Sequence, residues 1–263
     1  MKRRLVLSSL LALASGFTSC SRSNKLIIAT DATYPPFEAL DGNGQFSGAD
    51  IDLGRELGKH IGREVEFQNI NFDGLIAALK SGSVDLVISS MTANEERRKS
   101  IDFSEPYVKT GIAILVHAKA PVQTAEDLKT PGRRIAVRLG TTGEQYVRAT
   151  LPQATIVALD SDTACVMEVV KGGVDAWIYD QLSIMNYHAR HPETTRALLK
   201  PLREEVWAIG LRKGNDELKT QVNAFLAKFR ADGGFARLAE KHMAKEKLMM
   251  EGQGIPFVFE IAH

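Results

Sequence analysis

The chain has 263 residues, 44% hydrophobic and 25% charged, with 33 Lys and Arg against 32 Asp and Glu. This is the composition of a folded globular protein, and a near-neutral balance without a Lys/Arg block leaves no electrostatic footprint for nucleic acid. Two cysteines in this length exclude a disulfide scaffold, so a packed core must carry the stability.

Lys2, Arg3 and Arg4 precede an apolar run from Leu5 to Ala14, followed by small and polar residues up to Cys20. That order marks residues 1–19 as a secretory signal, too short to be a permanent span. Its removal takes three of the 33 basic residues and no acidic ones, leaving a net charge near −2. No later apolar stretch reaches membrane-spanning length. Phe17-Thr18-Ser19-Cys20 resembles the lipobox of bacterial lipoproteins, in which the cysteine is lipidated. Phe17 stands where leucine is usual, which keeps ordinary cleavage nearby as the alternative. Cys165 would then be the remaining thiol, a core residue.

From there the chain alternates strand and helix. Lys25–Thr30 reads as a strand, followed by the Pro35-Pro36 turn and the Asp41-Gly42-Asn43-Gly44 hairpin signal. Helical spacing covers Asp50–His60, Glu64–Ile70 alternates, Phe72–Lys80 is helical, and Val84–Ser89 is a β-branched run. Strands follow at Ile112–His117, Ile135–Leu139, Thr155–Leu159, Val174–Tyr179 and Trp207–Leu211. Helices lie between them, one opened by a capping box from Thr124 to Asp127. Two helices, Glu217–Phe229 and Phe235–Lys245, come last. Such alternation predicts an α/β protein with mostly parallel sheets.

The turn from Leu79 to Asp85 is echoed about 90 residues later by Val170 to Asp175, each with a glycine that suits a helix C-cap and a Val-Asp that starts a strand. The echo favours two similar lobes over one large sheet. In open α/β sheets function gathers beyond the strand C-termini. There this sequence places Asp31, Tyr34, Ser89, Ser90, Thr92, Arg97, Gly140-Thr141-Thr142-Gly143 and Asp180. A guanidinium and a helix N-terminus hold a carboxylate, and an aspartate pairs with an ammonium, so the set suits a zwitterion. Taken singly, each has a plainer reading as a solvated, capping or packing residue.

The chain resembles the family 3 extracellular solute-binding proteins, the polar amino-acid receptors of ABC importers, over roughly Lys25 to Lys245. The resemblance rests on Thr30-Asp31-Ala32-Thr33-Tyr34-Pro35-Pro36-Phe37-Glu38, Gly48-Ala49-Asp50-Ile51-Asp52-Leu53, Phe72-Asp73-Gly74-Leu75-Ile76, Asp85 through Thr92 with Arg97, and Phe103-Ser104-Glu105-Pro106-Tyr107. It implies a periplasmic-binding-protein-like (type II) fold of two α/β lobes, 24–110 plus 208–263 and 111–207. Two crossings, near Lys109–Ile114 and Val206–Leu211, would form the hinge. It implies further that Arg97, with backbone N–H groups at Thr92 and Thr142, grips a ligand carboxylate. Asp180, Ser90 and the Thr92 hydroxyl would hold the ammonium, Tyr34 and Phe72 would flank the side chain, and Asp31, Ser89 and Thr141 would meet its tip. A basic amino acid is the first expectation, glutamine and other polar neutral ones the second. Gly143 departs from the glutamine that some relatives of basic specificity carry there.

The resemblance implies a receptor and no enzyme: a monomer with no cofactor, its partner an importer permease, touching the membrane only through a lipid at Cys20. The alternatives on the same fold are a cyclohexadienyl dehydratase-like enzyme, with Asp31 or Asp180 as general acid, and a sensory module. His188 and His191 lie three apart but lack a third ligand nearby, so they read as a solvated helix face. The apolar stretch from Ile255 to Ile261 is expected to dock on the first lobe.

Overall fold

The computed structural model describes residues 25–261, so the expected signal and Cys20 lie outside the described residues. β1, Lys25–Thr30, has the predicted extent. A small meander follows, β2 Thr33–Tyr34, β3 Glu38–Leu40 and β4 Phe46–Ser47, turning at Asp41–Gly44. α1, Ala49–Ile61, buries Ile51, Leu53 and Leu57, with acidic residues in its first turn and basic ones in its last, as the helix dipole favours. It starts at Gly48, whose φ is +126° and where a Cβ would lie 2.1 Å from the Phe37 carbonyl oxygen; only glycine fits. β5, Glu64–Asn69, precedes a 3-10 turn at Phe72–Gly74 that leads into α2, Leu75–Ser81. β6, Leu86–Val87, and the single-turn α3, Glu95–Arg98, complete this part.

β7 runs from Asp102 to His117, far longer than its predicted apolar end. The Thr124–Asp127 capping box forms, but it opens only a 3-10 turn, Ala125–Lys129. Then come β8 Arg134–Arg138, α4 Thr142–Thr150, β9 Thr155–Leu159, α5 Asp162–Val170, β10 Ala176–Asp180 and α6 Gln181–Arg190. β11, Thr195–Leu211, is the second long strand. α7, Asp216–Ala231, follows it. The helix expected over Phe235–Lys245 breaks at the buried Met243 into α8, Gly234–His242, and α9, Ala244–Gly252.

Eight strands lie in the order β5-β1-β6-β11-β7-β10-β8-β9. The outer parts are parallel, as the alternation implies, but β7 and β11 pair antiparallel with each other and with their outer neighbours. These two strands run through both halves of the molecule, and the expected lobe boundaries fall inside them. Apolar residues pack into clusters centred on either side. Leu26, Ile28, Leu53 and Phe225 lie in the first lobe, and Ile135, Val137, Cys165 and Trp177 in the second. Burial pushes the Cys165 thiol up to about 12, so it stays protonated.

The sequence echo has a structural counterpart. Asp85 accepts the Ile27 N–H at 3.0 Å, and Asp175 accepts the Arg134 N–H at 2.9 Å, each side chain tying the start of one parallel strand to its neighbour. The C-terminal stretch docks on the first lobe: Val258 and Phe257 are buried, and the Lys109 N–H donates to the Val258 carbonyl at 2.9 Å. Their cluster also takes in Leu182 and Met185 of α6, on the second lobe.

Candidate ligand-binding cleft

A single cleft between the lobes is lined by all ten residues that the sequence singled out. Each arrives there for a local reason. Asp31 and Tyr34 follow the end of β1, Ser89, Ser90 and Thr92 follow β6, and Phe72 opens the turn before α2. The Asn94 side chain caps α3 through the Arg97 N–H, fixing the start of Arg97's helix. From the second lobe, Thr141 is the N-cap of α4 and Thr142 its first residue, while Asp180 ends β10 and caps α6.

The Arg97 guanidinium is buried and donates to the Thr92 carbonyl and, across the cleft, to the Gly140 carbonyl, both at 2.9 Å. Desolvation lowers it to about 10, so it stays charged at neutral pH. It lies 5.2 Å from the centre of the Phe72 ring, which therefore flanks the arginine as well as the cleft. The Tyr34 ring stacks on Phe37 and meets Tyr179 and Trp207 edge-on. Its hydroxyl donates across the cleft to Asp180 at 2.9 Å. Asp180 also accepts the Thr110 hydroxyl at 2.7 Å and the Leu182 N–H at 2.9 Å. Burial nevertheless raises its carboxyl to about 6.

Two buried carboxyls support the first-lobe wall, Glu38 within the lining and Asp50 behind it. Glu38 accepts the hydroxyls of Ser89 at 3.3 Å and Ser90 at 3.0 Å. Asp50 accepts the Ser90 N–H at 2.9 Å and the Tyr107 hydroxyl at 2.7 Å. Burial, and for Glu38 the neighbouring Asp50 charge, hold both above the usual carboxylate range. Together they fix Ser90 in the left-handed region at φ 48°.

Six lining residues escaped the sequence reading: Glu38, Ile112, Arg138, Tyr179, Glu205 and Trp207. Arg138 matters most for the charge pattern. Its guanidinium pairs with Asp31 on the opposite lobe and, at 2.9 Å, with Asp162 on its own. The cleft therefore contains a second cation, and it already faces Asp31, the residue expected from sequence to meet the tip of a ligand. Arg138 is the last residue of β8, so the strand-end rule that found Asp180 covers it too. Glu205 lies in the run Arg203-Glu204-Glu205, which reads as a solvated surface, yet its side chain is only 3% exposed.

Residues 26–245 match the bacterial extracellular solute-binding proteins, family 3. The chain belongs to that family. It is 31% identical to the L-cystine-binding protein TcyJ of Escherichia coli K12 over 218 residues, 82% of this chain and 81% of that one. It is 32% identical over 244 residues to the ABC transporter arginine-binding protein 1 of the same organism, 91% of this chain and 98% of that one. Among solved structures, an ancestral arginine-binding protein bound to arginine superposes with a TM-score of 0.78 at 36% identity, covering 84% of this chain and 98% of the other. The ancestral amino acid-binding protein AncCDT-1, a precursor of cyclohexadienyl dehydratase, superposes with a TM-score of 0.76 at 38% identity, covering 83% and 95%. The fold is that of the type II periplasmic binding proteins. Among the described residues, no helix is long and apolar enough to cross a membrane, and no cluster of His, Cys, Asp and Glu is grouped to hold a metal.

Proposed function

We propose that this protein is the extracytoplasmic receptor of an ABC-type amino-acid importer, enclosing one polar L-amino acid between its lobes. The observation that carries this reading is the placing of Arg97 and Asp180, a buried cation and a buried carboxylate from opposite lobes, around one cleft. A zwitterion satisfies both only when the lobes, 24–110 with 208–263 and 111–207, are together, so the ligand itself favours the closed form. Arg97 and the N–H groups of Thr92 and Thr142 take the α-carboxylate. Asp180, Ser90 and the Thr92 hydroxyl take the ammonium, and Tyr34 and Phe72 flank the side chain.

The distal end meets Asp31, Ser89 and Thr141. Because Arg138 already faces Asp31, this end of the cleft presents both charges. A side chain that both donates and accepts there, such as an amide or a second amino-acid head, uses both; a guanidinium must share Asp31 with Arg138. We therefore rank cystine-like and glutamine-like ligands ahead of arginine, reversing the order drawn from sequence. A thermal-shift screen of the twenty amino acids with ornithine, citrulline and cystine tests both levels, since ligand binding to the native state raises stability. No shift with any of them would overturn the receptor reading; arginine giving the largest shift would restore the first order.

A dehydratase has less support, because Arg97 and Asp180 together hold a complete amino acid; release of water from prephenate or arogenate would reinstate it. We further infer export as a monomer, with lipid at Cys20 holding the protein to the membrane beside its permease. Mass spectrometry of membrane-extracted protein, parent against Cys20→Ala, tests the anchor.

A further inference from the structure

Glu205 puts an anion of the chain's own beside the groups that the proposed function assigns to the ligand carboxylate. It projects from β11, opposite Thr110 of β7, at the level where both strands cross between the lobes. One of its carboxylate oxygens, Oε2, accepts the Thr92 hydroxyl of the first lobe at 2.7 Å and the Thr142 hydroxyl of the second at 2.8 Å. The other, Oε1, is forked by Arg203 at 2.7 and 3.2 Å. The same charge acts on Arg97, opposing the effect of its burial. A carboxylate belonging to the chain thus holds the hydroxyls of the two threonines whose N–H groups are assigned above to the ligand carboxylate, and its charge acts on Arg97, the third group of that set.

We propose that Glu205 is an internal competitor for the ligand carboxylate, bridging the lobes through Thr92 and Thr142 and giving way when an amino acid takes that place. The inference rests on the receptor reading for its ligand but not for its geometry. Charge and position both argue for it. A ligand carboxylate on the N–H groups of Thr92 and Thr142 would lie beside the buried Glu205 carboxylate on their hydroxyls, and two like charges so placed repel. Arg203, half-exposed, already forks Oε1 and can keep hold of Glu205 as the side chain swings toward solvent and releases the two threonines. The competition raises the threshold for any ligand, and selects those whose remaining contacts are strong enough to displace a tethered anion.

A receptor whose competent form is a minor fraction binds more weakly by that fraction. Removing the competitor therefore tightens binding. Glu205→Ala is expected to bind the best ligand of the screen about ten- to a hundred-fold more tightly than the parent by calorimetry, with Glu205→Gln between them. Arg203→Gln, outside the cleft lining, changes how Glu205 is held without touching the ligand, and its folded state provides the control for stability. A side chain that merely supports the fold would weaken binding on removal, so unchanged or weaker binding in Glu205→Ala overturns the proposal. Small-angle scattering without added amino acid reads the bridge separately. Glu205→Ala should have the larger radius of gyration, and equal radii overturn the bridge. If no amino acid binds the parent, the receptor reading falls and the scattering result alone judges Glu205.

Discussion

The hydroxyl of Tyr34 and the carboxylate of Asp180 meet at 2.9 Å, although 146 residues separate them in the chain. One belongs to the wall of the first lobe and the other caps a helix of the second. This contact, with the Asp31–Arg138 pair, the Arg97–Gly140 bond and the Asn94–Gln145 bond, joins the lobes across the front of the cleft. All but the Asn94–Gln145 bond use a group that the proposed function asks to hold or border an amino acid. Closure and binding thus draw on the same side chains.

Arg97→Ala should cost about 2–5 kcal/mol of binding, the usual result of stripping one member from a buried charge pair. That is a loss of some tens- to thousands-fold in affinity for every ligand accepted, because all share the carboxylate. Calorimetry on parent and variant checks it; unchanged affinity would leave Arg97 with its structural bonds to Thr92 and Gly140 alone.

Arg138→Ala should destabilise the fold by about 3–5 kcal/mol, since it leaves the buried Asp31 and Asp162 without their cation. Urea denaturation measures this. The companion variant Asp31→Asn should weaken arginine or lysine far more than glutamine if Asp31 still serves as a counter-charge. Equal losses for both ligands would assign the tip to the Asp31–Arg138 pair as a unit.

Asp180 predicts opposite pH trends for stability and binding. Its carboxyl rises from 3.8 to about 6 on burial. Between these values the folded state binds more protons than the unfolded one, so stability declines as pH rises through that window. A two-unit shift corresponds to roughly 3 kcal/mol. The contribution of Asp180 should therefore raise the melting temperature at pH 4.5 relative to pH 7, and Asp180→Asn, which keeps a good N-cap residue, should remove that part of the profile. Affinity should move the other way, because only ionised Asp180 pairs with an ammonium. A parent and Asp180→Asn with superimposable stability profiles would show that the group titrates normally.

Gly143→Ala should cost about 1–3 kcal/mol, the usual range for overpacking. A Cβ there would lie 2.2 Å from the carbonyl oxygen of Ile178 in β10, so α4 must move off the sheet. Since Thr142 precedes it, affinity should fall as well. Any larger side chain needs a different spacing of this helix; thermal denaturation of the alanine variant decides whether the contact is as tight as the geometry requires.

Sequence alone determined the elements whose pattern is local. β1 and β9 have their predicted extents because an apolar or alternating run of strand length is its own signal. Nine of the ten cleft residues were legible because side chains at the C-terminal ends of strands converge in any open α/β sheet, whatever the rest of the chain does, while Phe72 came from the family resemblance alone. Tertiary structure decided what local pattern cannot express. β7 and β11 carry Pro106 and Pro201 and polar stretches such as Lys109-Thr110 and Arg203-Glu204-Glu205, which weaken the strand signal; they remain strands because they pair with each other in two stretches, Thr195–Leu198 and Arg203–Leu211 of β11, on either side of an irregularity. The partnership of Arg138 with Asp31 spans 107 residues, and the burial of Glu205 depends on Thr92 and Thr142 arriving from opposite lobes. A charge in sequence is solvated by default; whether it is buried is set by which distant groups the fold brings to it, and here that difference turns two ordinary-looking residues into the determinants of the cleft's charge.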